Sequence, residues 1–186
     1  GNKYPKNVEE LKKALEIRGL EICNQWFSCF LISQPFEEVE QSFRNQLAFL
    51  KSLGAKVIGA SEQSFSIQGE QNTPIFGHKY NMNDEQWKVF CDGMNRLGRI
   101  SKDEYGIDLV FHHHMGTVVE NDEEVERMME NTDLDYVSLL YDTGHFAYCN
   151  VDPLTMAKKY IDRIKHVHLK DIRLDVVNQV REQKLS

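Results

Sequence analysis

Apolar and polar residues alternate in blocks along the chain, and the blocks predict five repeats of a helix followed by a strand. Helical periodicity covers residues 7–19, 35–53, 84–105, 122–131 and 152–164, and a sixth helix begins near Leu174. Short apolar runs predict strands at residues 20–27, 55–60, 107–112, 136–141 and 165–169. Continuously apolar strands are typical of a parallel sheet that helices cover on its faces.

This alternation predicts one α/β domain over residues 1–186. Such a series forms either a closed eight-stranded barrel or an open, doubly wound sheet. No GxGxxG segment follows a predicted strand, and polar residues cluster at the carboxyl ends of several strands, where barrel active sites are assembled. We therefore expect a (β/α)8 TIM barrel. Five strands do not close a ring of eight, so the barrel is expected to be incomplete, lacking its first and last strands, unless partner chains pair with its edges.

Composition narrows the partners that the protein is expected to have. The 186 residues include 29 acidic and 22 basic side chains, a formal net charge of -7, and 41% hydrophobic residues. This balance is that of a globular protein, and it disfavours binding to nucleic acid or to an anionic membrane. No apolar run reaches the roughly 18 to 20 residues that span a bilayer. The four cysteines form no CxxC pair, so we expect reduced thiols in a cytoplasmic protein.

Histidines mark the ends of two predicted strands. At strand spacing, His112 and His114 share one face and His113 points to the other. Two imidazoles on one face bind a metal or hydrogen-bond a polyol, although a polar strand end with satisfied histidines explains this run equally well.

The last predicted strand carries a more specific pattern. Three polar side chains, His166, His168 and Lys170, fall on the same face of a strand that should be buried. Burying polar and charged groups is costly unless they have partners, so a functional role is favoured over a structural one.

Two carboxylates follow apolar strands in the same way. Asp142 is a suitable ligand for a hard cation, and with His168 it gives an oxygen and imidazole set suited to Mn, Co, Zn or Mg. As a lone aspartate it would equally cap the following turn. Gly144 predicts a sharp turn at which the backbone approaches a ligand, next to His145. Glu62 occupies the comparable position after the second strand.

Three segments closely resemble the inosose dehydratase family of the xylose-isomerase-like barrels. They are residues 112–117 (HHHMGT), 141–145 (YDTGH) and 163–173 (RIKHVHLKDIR). The resemblance extends over essentially the whole chain: residues 1–5 (GNKYP) look like the end of the family's second strand, and residues 61–63 (SEQ) and 66–69 (SIQG) look like the segment after the fourth.

This resemblance implies a lyase of inositol catabolism that removes water from 2-keto-myo-inositol to give a cyclic dione, with a divalent metal, Mn or Co before Mg or Zn, and with glutathione as an associated cofactor. It implies roles for eight residues. The implied metal ligands are Asp142 and His168, the catalytic residues are His112, His114 and Lys170, and the substrate-binding residues are Glu62, His145 and His166.

The chain departs from the superfamily pattern at two ligand positions. Where the superfamily commonly takes a glutamate from strand five, this chain has its histidines, and Glu120 follows some way beyond. The remaining glutamate of the pattern comes from strand eight, for which no segment is predicted. Weak metal binding and little turnover are therefore expected from these 186 residues by themselves.

Three other functions fit parts of the sequence. A metal-dependent ketose epimerase or isomerase needs the same enediolate but returns the proton instead of expelling hydroxide. A DNA-repair endonuclease acting at abasic sites shares the Asp-Thr-x-His turn, but the acidic charge disfavours it. A catalytically inactive barrel fragment is the third alternative, and a homo-oligomer is a further expectation.

Overall fold

The computed structural model describes residues 4–186. The predicted strand end at residues 1–5 involves Gly1, Asn2 and Lys3, which lie outside the described residues. The helices are α1 Val8–Glu16, α2 Phe36–Ser52, α3 Asp84–Arg99, α4 Asp122–Glu130, α5 Thr143–Tyr148, α6 Pro153–Tyr160 and α7 Leu174–Gln183. The strands are β1 Trp26–Cys29, β2 Val57–Glu62, β3 Asp108–Phe111, β4 Val137–Asp142 and β5 Ile164–His168.

The five strands form one parallel sheet in chain order, as the alternation predicts. Within the described residues the sheet is open, with β1 and β5 as its edges. Because side chains alternate along a strand, the register divides them between two faces. We call the face that carries Trp26, Ser61, His112, Asp142 and His168 the inner face.

The opposite face packs against the helices and holds most of the apolar core. Phe27 of β1 meets Phe43 of α2 with ring centroids 4.9 Å apart, and Phe111 of β3 meets Phe90 of α3 at 5.4 Å. Both α3 and α4 begin with an asparagine whose side chain caps the helix in a capping box. No helix within residues 4–186 has the length and apolar character to cross a membrane.

The first predicted strand is placed wrongly by the sequence pattern. Residues 20–25 are an extended connection, and pairing with β2 begins only at Trp26. Leu20 and Ile22 have strand-like spacing, but Leu20 is exposed and it is Phe27 and Cys29 that enter the core. The side chain of Asn24 instead accepts a hydrogen bond from the amide of Gly59 at 2.7 Å.

Two other local predictions need correction. The helix predicted to end at Tyr105 changes at Ile100 into a π-helical turn, Ile100–Tyr105, and the helix predicted over residues 152–164 ends in a 3-10 turn, Ile161–Arg163. The segment after β4 was predicted as a sharp turn but forms the short helix α5. Gly144 is needed there because an added Cβ would lie 2.7 Å from Cβ of Lys170, and the approach of its backbone to a ligand stays a prediction.

Candidate active site

Asp142 lies at the carboxyl end of β4, at the centre of a cluster of polar side chains on the inner face of the sheet. Its side chain is completely buried, and its two oxygens have different partners. Oδ1 accepts hydrogen bonds from the backbone amides of Gly144 and His145 at 3.0 and 3.2 Å, which caps α5. Oδ2 lies 2.6 Å from Nζ of Lys170 and 3.0 Å from Nε2 of His112. The same residue therefore both caps a helix and carries the negative charge of the site.

Burial alone would raise the pKa of the Asp142 carboxyl. The hydrogen bonds from His112 and Lys170 outweigh burial and hold this pKa well below its ordinary value. Asp142 is therefore ionised at neutral pH, although it has no contact with solvent. An ionised carboxylate inside a ring of nitrogen donors attracts a cation.

Four histidines surround this carboxylate. Beyond His112, Nδ1 of His168 is 3.4 Å and Nε2 of His145 is 3.8 Å from Oδ2 of Asp142. The ring of His114 packs on that of His145 with centroids 4.1 Å apart. Ligand atoms of His112, Asp142 and His145 all lie within 4.8 Å of one another. This spacing is short enough for one small ion to contact all three side chains.

Burial favours the neutral form of three imidazoles in the cluster. It lowers the pKa of His112 and His114, and it is the main reason why the pKa of His145 falls to about 2, with a further contribution from the adjacent His114. The Nδ1 atoms of His112 and His145 are buried and have no hydrogen-bond partner among the described residues. Nε2 of His112 donates to the Asp142 carboxylate, so Nδ1 of a neutral His112 carries a free lone pair that can bind a metal or accept a proton.

His114 lies at the more open side of the cluster. Its Nδ1 is held between Nε2 of Gln68 at 2.8 Å and the carbonyl oxygen of Met115 at 3.0 Å. Its Nε2 makes no hydrogen bond to any residue between 4 and 186. The loop that follows β2 supplies Gln68, and the amide of Ile67 in this loop bonds to the carbonyl oxygen of Gly116 at 3.0 Å. This loop therefore fixes the histidine ring while one ring nitrogen stays available.

Lys170 and His166 also belong to the inner face. Nζ of Lys170 lies 3.2 Å from Nε2 of His145 as well as 2.6 Å from Asp142. His166 lies two residues before His168 on the same face of β5, and the centroids of the two rings are 5.3 Å apart. The structure thus brings seven of the eight predicted site residues to one region. They are His112, His114, Asp142, His145, His166, His168 and Lys170.

Glu62 is the predicted site residue that the structure places elsewhere. It pairs in register with Cys29, on the face that packs against the helices. Its carboxylate is completely buried and accepts hydrogen bonds from the amides of Leu31 and Ser64, both at 2.9 Å. Burial raises the pKa of Glu62. The carboxylate therefore stabilises the loops after β1 and β2, and any contact with a substrate stays a prediction.

His113 and Glu120 lie behind the cluster. His113 points away from His112, as its strand position predicts, and its ring packs on Phe146 with centroids 4.0 Å apart. Its Nδ1 is 3.0 Å from the carbonyl oxygen of Glu120. The Glu120 carboxylate accepts a hydrogen bond from the amide of Gly116 at 2.6 Å. The Glu120 carboxylate is therefore bound by the backbone of the loop after β3.

Comparison with known families assigns the fold of this site. The family described as xylose isomerase-like TIM barrel matches residues 1–182. The chain belongs to this family. An open, five-stranded parallel sheet with polar residues at its carboxyl end is a part of such a barrel.

Relatives within this barrel family carry one name repeatedly. The chain is 53% identical over 186 residues to a Clostridium perfringens protein named inosose dehydratase, and 52% identical to one of the same name from Geobacillus thermodenitrificans. Both comparisons cover all of this chain but only 62% of the relative. The described fold also superposes on the crystal structure of the IOLI protein with a bound zinc atom, with a TM-score of 0.67 at 18% identity. That superposition covers 89% of this chain and 56% of the other.

Sequence reasoning missed three residues of the barrel site. Gln68 sits in a long polar loop, where no periodicity indicates its contact with His114. Trp26 lies on the inner face of β1, with the centroid of its ring 5.3 Å from that of His112. Because the first strand was predicted at the wrong residues, the sequence did not indicate which face Trp26 occupies. Thr143 bonds to the backbone of Lys170 and was passed over between Asp142 and Gly144. The inner-face register of β1 is the signal that identifies Trp26.

Proposed function

We propose that the protein is an inosose dehydratase, a lyase that eliminates water from 2-keto-myo-inositol to give a trihydroxycyclohexane-dione in inositol catabolism. One observation supports this most directly: the ionised, buried Asp142 carries Lys170 and His112 on one oxygen, with neutral histidines around it. Relatives of 50–53% identity over the whole chain, named inosose dehydratase, support the same reaction. The chain covers 62% of their length, so the activity is proposed for the whole protein.

The described residues fit a divalent cation. They offer one buried carboxylate oxygen and several neutral imidazole nitrogens, of which the Nδ1 atoms of His112 and His145 lack partners within residues 4–186. Asp142 and His168 would hold the cation, with His112 and His145 as further ligands. This mixed donor set suits Mn, Co or Zn better than Mg, which prefers oxygen. When bound, a divalent cation stabilises negative charge on the oxygen of a ketone.

The remaining residues supply the proton transfers that the elimination requires. A proton leaves the carbon next to the ketone, and hydroxide then leaves the following carbon. His114 takes the first proton at Nε2, because Gln68 and Met115 hold its other ring nitrogen and burial keeps it neutral. The side chain of Lys170 is half-exposed, and its ammonium donates a proton to the departing hydroxyl. Water and the enol form of the dione are the products.

A metal-dependent product assay tests this proposal. The protein is incubated anaerobically with scyllo-inosose and Mn or Co, and the absorbance of the dione is followed. We expect dione formation that stops in EDTA and in the Asp142→Asn variant. Asp92→Asn is the matched control, because Asp92 lies on the exposed surface of α3 and forms an ion pair with the exposed Lys88. A parent protein that binds the metal but forms no dione would refute the dehydratase function.

A ketose epimerase or isomerase is the second candidate. It is favoured by one feature of the site, since the same base and carboxylate would remove and return a proton at the carbon next to a ketone. Product analysis separates the two functions, because an epimerase gives a ketose of unchanged mass and the dehydratase gives a product lighter by one water. The choice of Mn or Co, an association with glutathione, a homo-oligomeric state and a cytoplasmic location stay predictions.

A further inference from the structure

Lys170 occupies an exposed position and yet has a defined place in the site. Strand β5 ends at His168, and the next residue, Leu169, is 83% exposed. Ladder hydrogen bonds with β4 therefore stop two residues before Lys170. A long, flexible side chain that starts from such a segment needs another constraint if its ammonium is to stay on Asp142.

Thr143 provides this constraint through its hydroxyl. Its Oγ1 donates a hydrogen bond to the carbonyl oxygen of Lys170 at 2.6 Å and accepts one from the amide of Lys170 at 2.8 Å. Both main-chain polar groups of the lysine are thus bound by one side chain. The pairing replaces the strand contacts that ended at His168 and connects the first residue of α5 to the loop after β5.

Gly144 completes the arrangement on the other side. A Cβ at this position would lie 2.7 Å from Cβ of Lys170, which is too close for two carbon atoms. The lysine backbone is therefore held by Thr143 and packed against Gly144, with its side chain directed at Asp142 Oδ2. The three consecutive residues 142–144 contact the ammonium, the backbone and the Cβ of the same lysine.

We propose that Thr143 is a positioning residue that holds Lys170 on Asp142 and so places the ammonium where a departing hydroxyl needs a proton donor. The inference rests on the proposed function for the role of Lys170 in turnover, but the positioning itself is a structural property. It adds a residue to the reaction that acts through another side chain and does not touch the substrate.

Two substitutions at position 143 test the positioning. Thr143→Val keeps the shape and removes the hydroxyl, and Thr143→Ser keeps the hydroxyl. Because a misplacement of about 1 Å costs on the order of a hundredfold in rate, we expect kcat of the valine variant to fall roughly tenfold to a hundredfold with little change in KM. The serine variant should stay within about threefold of the parent. A serine variant as slow as the valine variant would overturn the proposal.

A double-substitution cycle separates positioning from a general structural role. If Thr143 acts only through the ammonium of Lys170, then adding Thr143→Val to Lys170→Met should change kcat by less than about twofold. A further loss in the double variant would show that the hydroxyl serves the fold instead. Should the valine variant not fold, Gly144→Ala displaces Lys170 from the opposite side and leaves the hydroxyl intact, with the same expected loss of kcat.

Crystal structures of the valine and serine variants give a readout that does not depend on activity. We expect the serine variant to keep Nζ of Lys170 in contact with Asp142 and the valine variant to lose this contact. An ammonium that stays on Asp142 in the valine variant would overturn the positioning role. If the parent forms no dione while the structures behave as expected, the dehydratase proposal fails and the positioning of Lys170 by Thr143 stands.

Discussion

Replacing Asp142 by asparagine or by alanine separates the two tasks of this carboxylate. Asparagine keeps an oxygen that can accept from the amides of Gly144 and His145, but it removes the negative charge that faces Lys170 and His112. Alanine removes both. The two variants therefore share the loss of charge and differ by the cap of α5, which begins at the next residue.

The size of each effect follows from these contacts. Replacing a helix-capping aspartate by alanine costs about 0.5 to 2 kcal/mol. Each kcal/mol by which the alanine variant is less stable than the asparagine variant should lower its melting temperature in EDTA by roughly 2 to 4 °C. A metal at about a hundred times its dissociation constant stabilises the folded state by about 2.7 kcal/mol. It should raise the melting temperature of the parent by about 5 to 10 °C and leave both variants unchanged.

Thermal unfolding followed by circular dichroism, with and without Mn, measures both effects on the same three proteins. Asp92→Asn serves as the control for removing an aspartate charge, because this exposed residue lies inside α3 and pairs with the exposed Lys88. Equal melting temperatures of the two Asp142 variants in EDTA would refute the capping role. A metal-dependent rise in the asparagine variant would refute the assignment of Asp142 as a ligand.

Two further predictions concern stability. His113 is completely buried, and burial lowers its pKa to about 3. As the pH falls below about 6.5, this histidine therefore becomes protonated in the unfolded chain but stays neutral in the folded protein. The unsubstituted protein should lose up to about 1.4 kcal/mol of stability per pH unit because of this residue, and His113→Phe should lose less between pH 7 and pH 5. Urea unfolding in the presence of EDTA measures this, and an equal dependence of the unfolding free energy on pH in the two proteins would contradict it. Gly98→Ala places a Cβ 2.5 Å from the carbonyl oxygen of Tyr136 and should cost about 1 to 3 kcal/mol. In the matched Gly93→Ala the nearest atoms belong to the side chain of Leu31, which can move more easily than backbone, so a larger loss of stability there than at Gly98 would refute the steric argument.

The sequence predicts most of the architecture because helix and strand periodicities are strong in this chain. The amphipathic stripes of α2 and α3 and the apolar runs of β2 to β4 all appear within a few residues of their predicted places. The helix α5 was missed because it has only six residues and contains Gly144. The first strand was misplaced because apolar spacing at Leu20 and Ile22 resembles that of a strand, whereas no strand within residues 4–186 pairs with them.

The candidate site was predictable where it depends on strand ends. Parallel register brings Asp142 beside His168, so both were expected together. The face of Glu62 was also accessible to the sequence, because counting in steps of two from buried Ile58 places it among the helix-facing residues. Contacts made by loops, such as that of Gln68 with His114, were not predictable, since they depend on how a long loop folds back in three dimensions.

If the cluster around Asp142 eliminates water from a cyclic polyol ketone, the identity of the product formed in D2O distinguishes this reaction from epimerisation. The protein is supplied with scyllo-inosose and Mn under anaerobic conditions, and the reaction is followed by proton NMR. We expect resonances of the trihydroxycyclohexane-dione, which are absent with Asp142→Asn. Accumulation of an epimeric ketone that carries deuterium next to its carbonyl, without any dione, would contradict it.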